Sequence, residues 1–243
     1  MRFGVLTRLA WAAAIVAAPV GVAYADTTRV DVVELFTSQG CSSCPEADRI
    51  LGELASEPGV LALSFSIDYW DYLGWKDTLA QPDFTARQKA YAHARGDRAV
   101  YTPQAVVNGL AHAVGSDRGD IQGVIRSTTG KLDAKRVSLE VARSGGDILI
   151  HAGAGKRPAA GAATIWFVTY EDSRTVEIKR GENRGRTNTY YNVVRHIEPV
   201  GRWSGEAVSV SVPMPRGKGG KCAVILQEGS PEEPGAILAA TWL

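Results

Sequence analysis

Val33-Glu34-Leu35-Phe36-Thr37-Ser38-Gln39-Gly40-Cys41-Ser42-Ser43-Cys44-Pro45-Glu46 is the stretch on which the reading of the whole chain turns. Val30, Val32, Val33, Leu35 and Phe36 make residues 29–37 a buried strand, ended by Ser38-Gln39-Gly40. Past the cysteines, Ala47, Ile50, Leu51, Leu54 and Ala55 share one helical face, and Pro58-Gly59 stops that helix. Residues 60–67 form a second apolar strand. The cysteine pair therefore sits at a strand-to-helix junction inside a βαβ unit.

That position has chemical consequences. The start of a helix offers unpaired amides and the positive end of the dipole, both of which favour a thiolate. Cys41 is then the attacking thiol, and Cys44, one turn on, resolves the mixed disulfide. Ser43 and Glu46 also match a capping box, which predicts a helix start at Ser43. A bare Cys-x-x-Cys leaves other readings open: a purely structural bridge, or half of a zinc site. No second cysteine pair or paired histidines complete a zinc site. A copper site needs a further soft ligand, and Met214 is the only methionine beyond Met1. The expectation is a redox pair with no metal and no cofactor.

Working outward toward the N-terminus, Arg2 and Arg8 precede an apolar run over residues 9–22, followed by Ala23-Tyr24-Ala25. This is the pattern of a secretory signal peptide, residues 1–25, cut after Ala25. It places the mature chain in the periplasm or outside the cell, with no membrane span after cleavage. The compartment is oxidising, and the chain has three cysteines, two of them three residues apart. Net charge is +1, or about −1 without Arg2 and Arg8, with no block of like charge. Nucleic acid is not an expected partner.

Toward the C-terminus, residues 68–81 are an aromatic connector holding Tyr69, Trp70, Tyr72 and Trp75. Pro82 opens a helix that stops at Gly96. Residues 99–107 read as a strand interrupted at Thr102-Pro103. Asn108-Gly109 turns a hairpin into residues 110–114. Ser116 or Asp117 caps a helix ended by Gly130. From about Lys135 the periodicity becomes alternating. Residues 164–170, 175–179, 189–194, 207–212, 222–227 and 237–242 read as short strands. The expected fold is an α/β thioredoxin-like domain, residues 26–132, followed by a β-rich, sandwich-like C-terminal domain, residues 133–243.

The first motif resembles that of the secreted DUF1223 family, whose function is uncharacterised. The resemblance continues through Asp68-Tyr69-Trp70-Asp71-Tyr72-Leu73-Gly74-Trp75, Arg87-Gln88, Tyr101-Thr102-Pro103-Gln104, Val107-Asn108-Gly109, Gly181-Glu182-Asn183-Arg184-Gly185 and Asn192-Val193-Val194-Arg195. The order of elements is also similar to the thioredoxin fold. That similarity implies a cis Pro103 packed against the redox pair, with the Thr102 backbone pairing with substrate.

Candidate site residues are therefore Cys41 and Cys44 for catalysis, with Gln39, Asp68, Trp70, Trp75, Tyr101, Thr102 and Pro103 around them for substrate. The connector aromatics are equally readable as core packing. Cys222 reads as a buried structural thiol. Glu182, Asn183, Arg184 and Arg186 form a glycine-bounded polar loop, either a solvated turn or a contact for an anionic or protein partner. The expected function is thiol–disulfide oxidoreductase, acting on protein or small-molecule thiols and disulfides and regenerated by a redox-recycling partner. The competing reading is a binding module whose Cys41–Cys44 bridge only braces a loop.

Overall fold

The computed structural model describes residues 29–215 and 220–243. The expected signal peptide, residues 1–25, lies outside the described residues.

The βαβ unit forms as its apolar pattern predicts. Strand β1 (Asp31–Thr37) leads to helix α1 (Cys44–Leu54) and strand β2 (Val60–Ser66). The two strands are parallel, in register from Asp31 beside Val60 to Thr37 beside Ser66. The expected capping box does not form. Ser43 makes no capping hydrogen bond, its hydroxyl lying instead 3.4 Å from the Cys41 Sγ. Glu46 is taken by Arg49, at 2.7 Å.

Helix α2 (Pro82–Arg95) ends at Gly96, whose φ of 74° closes the last turn. Strands β3 (Gln104–Val107) and β4 (Ala111–Val114) make the expected hairpin. Asn108 and Gly109 have φ of 52° and 68°, as a type I′ turn requires. Asn108 also ties elements together: its side chain accepts from the Val32 amide and donates to Asp31 and Thr128. Helix α3 (Arg118–Leu132) is capped by Asp117, which accepts from the Asp120 amide at 2.9 Å. It runs through Gly130 rather than stopping there. An exposed helical glycine costs about 1 kcal/mol, and the fully buried Leu132 offsets it by anchoring the final turn.

The remaining strands are β5 (Leu139–Ser144), β6 (Asp147–Ala152), β7 (Ala163–Glu177), β8 (Thr187–Trp203), β9 (Val208–Pro213), β10 (Lys221–Gly229) and β11 (Pro234–Trp242). Residues 164–170 and 175–179, expected as two strands, belong largely to the single strand β7. Glu171 and Ser173 read as turn residues, yet they pair with Val193 and Tyr191 of β8. Their polarity marks a solvent-facing ribbon, not a break.

The expected fold class does not hold. The C-terminal strands do not make a separate unit behind a thioredoxin-like domain. They enter one eight-stranded mixed sheet, ordered β11-β10-β7-β8-β2-β1-β3-β4, while β5-β6-β9 form a second, three-stranded sheet. The junction is a parallel contact of β2 with β8, Ser64 beside Val193. Alternating periodicity shows which side chains face a core but not which strand becomes the neighbour. Here one core runs through both halves. Val32, Phe36, Leu63 and Phe65 share it with Phe84 and Tyr91 of α2, and with Trp166, Ile225 and Ile237. On the opposite face, α1 and α3 cover Val33, Leu35 and Val107. The small sheet covers Ile165, Phe167, Val224 and Leu238.

A buried ion pair crosses this shared core. Arg87 of α2 meets Glu34 of β1 at 2.8 Å and Gln227 of β10 at 3.0 Å, and Tyr91 bonds Glu34 as well. The guanidinium carbon lies 4.9 Å from the centre of the Trp166 ring. Removing one partner strands the other charge in the interior. Arg87→Ala is expected to lower unfolding free energy by about 3–5 kcal/mol. Urea unfolding measures it, and a loss below about 1 kcal/mol, the level of an exposed pair, contradicts the assignment.

Candidate functional site

The end of β1 and the start of α1 hold a Cys41–Cys44 disulfide, with Cα atoms 5.4 Å apart. Cys41 is 3% exposed and Cys44 is fully buried, so Cys41 carries what solvent contact the pair has. Ser42 and Ser43 between them are exposed. Cys222 is free and buried in the core under the small sheet, where burial raises its thiol pKa.

Three segments converge on the loop before Cys41. The first is the aromatic connector. A Cβ placed on Gly40 would lie 3.0 Å from the Cβ of Trp70, so only glycine lets the two backbones approach this closely. Trp70 Nε1 donates to the Thr102 hydroxyl at 2.7 Å, and its ring stacks on Tyr72, which is 76% exposed. Trp75 Nε1 donates to Gln39 Oε1 at 2.8 Å. Gln39 is buried, and its amide group is occupied by Trp75 and Thr78. Its own N–H donates to Asp77 at 2.8 Å. Gln39 thus orders the loop from inside.

The second segment is residues 101–103. The Thr102–Pro103 peptide is cis. Pro103 and Ala47 of α1 both flank Gly115: a Cβ there would meet theirs at 3.0 and 3.2 Å. Tyr101 turns to His112, its hydroxyl 2.8 Å from Nδ1. Asp68 accepts from the Thr85 hydroxyl at 2.6 Å, tying the connector to α2.

The third segment is the turn between β7 and β8. Asn183 is 1% exposed and donates through Nδ2 to the carbonyls of Gln39, at 3.0 Å, and Cys41, at 2.8 Å. Gly181, at φ 75°, packs on Trp75. The sequence places Asn183 in a polar loop but carries no signal that this loop reaches the cysteines.

Beneath the pair lies an acidic residue that sequence reasoning missed. Asp48 is one turn after Cys44, on the buried stripe of α1 with Ala47 and Leu51. An acid on that stripe was the available signal. Neither carboxyl oxygen has a hydrogen-bond partner. Burial pushes its pKa up to about 8; the nearby Thr37 hydroxyl eases the shift in part, and the charge of Asp77 adds to it. Asp77 is pushed up to about 6 by burial, moderated by the amides of Gln39 and Leu79.

A Cys41–Cys44 disulfide at a helix start, with a buried carboxyl one turn further along the helix, is compatible with thiol–disulfide chemistry. The family model of a protein of unknown function, DUF1223, matches residues 32–227, and the chain belongs to that family. It is similar to a crystallised protein of Agrobacterium tumefaciens, at 35% identity and TM-score 0.76, over 88% of this chain and 93% of that one. It also resembles HBP35 of Porphyromonas gingivalis in fold, at 12% identity and TM-score 0.58, over 90% of this chain and 76% of that one. No curated protein matches the chain.

The raised Asp48 carboxyl makes stability depend on pH. Between the ordinary carboxylate value of 3.8 and about 8 the folded chain holds a proton that the unfolded chain has released. Stability is therefore lost as pH rises through that window. Above about pH 7, where Asp77 has largely titrated, the slope from this acid pair belongs to Asp48. Asp48→Asn should raise the melting temperature slightly at pH 5 and more at pH 8.5, and flatten the profile from pH 7 to 8. Thermal unfolding across that range tests this; an unchanged slope refutes it.

Proposed function

We propose that the protein is a thiol–disulfide oxidoreductase, exported to the periplasm or beyond by residues 1–25. It exchanges the Cys41–Cys44 disulfide with protein or small-molecule thiols. The observation that carries the reading is the disulfide at the start of α1, with only Cys41 touching solvent. The helix terminus supports negative charge on that sulfur.

The exchange runs in two displacements. A substrate thiolate attacks the Cys41 sulfur, the Cys41–Cys44 bond breaks, and Cys44 departs as a thiolate that takes up a proton. A second substrate thiolate, its proton released to solvent, attacks the mixed disulfide and frees Cys41. The substrate dithiol is oxidised and the pair reduced, two electrons passing between them; the reverse steps reduce a substrate disulfide. Asp48, on the same helix face as Cys44 and protonated at neutral pH, supports this as a proton store for the departing thiolate. Trp70, whose Cβ packs on Gly40 next to Cys41, donates to the Thr102 hydroxyl, which supports residues 102–103 as the substrate platform.

The alternative is a bridge that only braces the loop, and the deep burial of both cysteines favours it. The reduction potential separates the two, because structural disulfides lie below about −300 mV. Equilibration with glutathione or dithiothreitol buffers is expected to give a value above that level. Cys44→Ser should accumulate mixed disulfides with partners, since release is blocked, and Cys41→Ser should abolish exchange. A potential below about −300 mV, with no mixed disulfide trapped by Cys44→Ser, would leave the bracing role in its place.

A further inference from the structure

The turn whose tip is clamped to Cys41 is unusually cationic. Lys179, Arg180, Arg184 and Arg186 are exposed and make no ion pair among the described residues, and Glu182 is the one acid between Ile178 and Arg186. The turn is held tightly, with Arg184 N–H bonded to the Gly181 carbonyl and Arg186 N–H to that of Asn183. Arg49 is matched by Glu46, Arg118 by Glu57 and Arg174 by Glu171, whereas the four cations of this turn have no acid at ion-pair distance among the described residues. Beside the cysteines the charge stays unmatched. Lys76, next to Trp75, is also exposed and without an ion pair.

Position gives this charge a use. Asn183 lies 2.8 Å from the Cys41 carbonyl, and Arg180, Arg184 and Arg186 are each within three residues of Asn183. A collar of net positive charge on this turn therefore stands beside Cys41, the member of the disulfide with solvent contact. Such a collar raises the local concentration of anionic reactants and speeds their encounter. The exposed Tyr72 ring stacked on Trp70 adds an apolar surface on the connector side of the same loop.

We infer that the site selects cysteine-bearing peptide segments flanked by Asp or Glu. This rests on the oxidoreductase reading and names the substrate class of that same site. The carboxylates of the segment meet Arg180, Arg184 and Arg186 while its thiolate reaches the Cys41 sulfur. The electron balance is that of the exchange above: peptide dithiol to disulfide, Cys41–Cys44 disulfide to dithiol.

The test uses the oxidised full chain and two dithiol peptides, one flanked by Asp and Glu, the other by Asn and Gln. Each rate is normalised to that peptide's reaction with a small-molecule disulfide, which removes differences in thiol pKa. At low salt the acidic peptide should react about tenfold faster. The ratio should fall toward one near about 0.5 M salt, as screening shortens the field. Arg184→Ala/Arg186→Ala should cut the low-salt ratio at least about threefold. Lys156→Ala, a charge removed from the exposed loop after β6, should leave it unchanged. Equal rates for the two peptides, or a salt-independent ratio, overturn the selectivity while the exchange reading stands. If neither peptide is oxidised, the exchange reading fails and this inference falls with it.

Discussion

A short parallel contact, Ser64 of β2 beside Val193 of β8, joins two halves that the chain builds separately. Asn192 secures it, with φ of 44° and its Nδ2 bonded to the Ala62 carbonyl at 2.8 Å. Without this seam, β7 and β8 have no reason to lie beside β1 and β2. The core that runs from Val32 to Ile237 would then be cut in two. The Arg87–Glu34 pair would also lose Gln227, its partner from the C-terminal half. Burial of an ion pair is tolerable only where its remaining hydrogen bonds are met, so the seam and the pair depend on one another.

The same seam brings the site together. Strand β8 enters the sheet beside β2, and from the kink at Asn192 the β7–β8 ribbon passes over α1, where Tyr191 packs on Gly52, toward the end of the sheet at which β1 hands over to α1. Its turn therefore arrives at the cysteines, where Asn183 takes the carbonyls of Gln39 and Cys41. The connector after β2 leaves the sheet at that end too, because β1 and β2 are parallel. Trp70 and Trp75 reach the loop from the other side. The disulfide is thus enclosed by segments more than a hundred residues apart in sequence, and it is this enclosure that leaves Cys41 only a narrow opening.

Enclosure also accounts for the electrostatics. Asp48 and Asp77 are removed from water by packing that the long strands complete; Tyr190 of β8 is itself buried near Asp48. The cationic turn lies at the surface of the same assembly. A buried acid with a raised pKa on α1 and a cationic turn tied to Cys41 give the pair a polar setting.

The sequence by itself determined the local elements. Continuous apolar runs made β1 and β2. The stripe of Ala47, Ile50, Leu51 and Leu54 made α1, and Asn108-Gly109 made the hairpin; each depends on residues within a few positions of one another. The cysteine pair and its place at a helix start were legible for the same reason, whereas Trp70 and Trp75 read also as core packing, and only the fold puts them against Gly40 and Gln39. Strand partnership was not legible. Alternation along residues 187–203 says which side chains are buried but carries no label for β2, so the C-terminal strands read as a unit of their own. Asn183 read as a loop residue, because its hydrogen bonds go to carbonyls some 140 positions away. The missing partner of Asp48 likewise appears only when the space around it has been filled. Tertiary packing alone decided these, since burial and long-range pairing are properties of the assembled sheet and not of any segment within it.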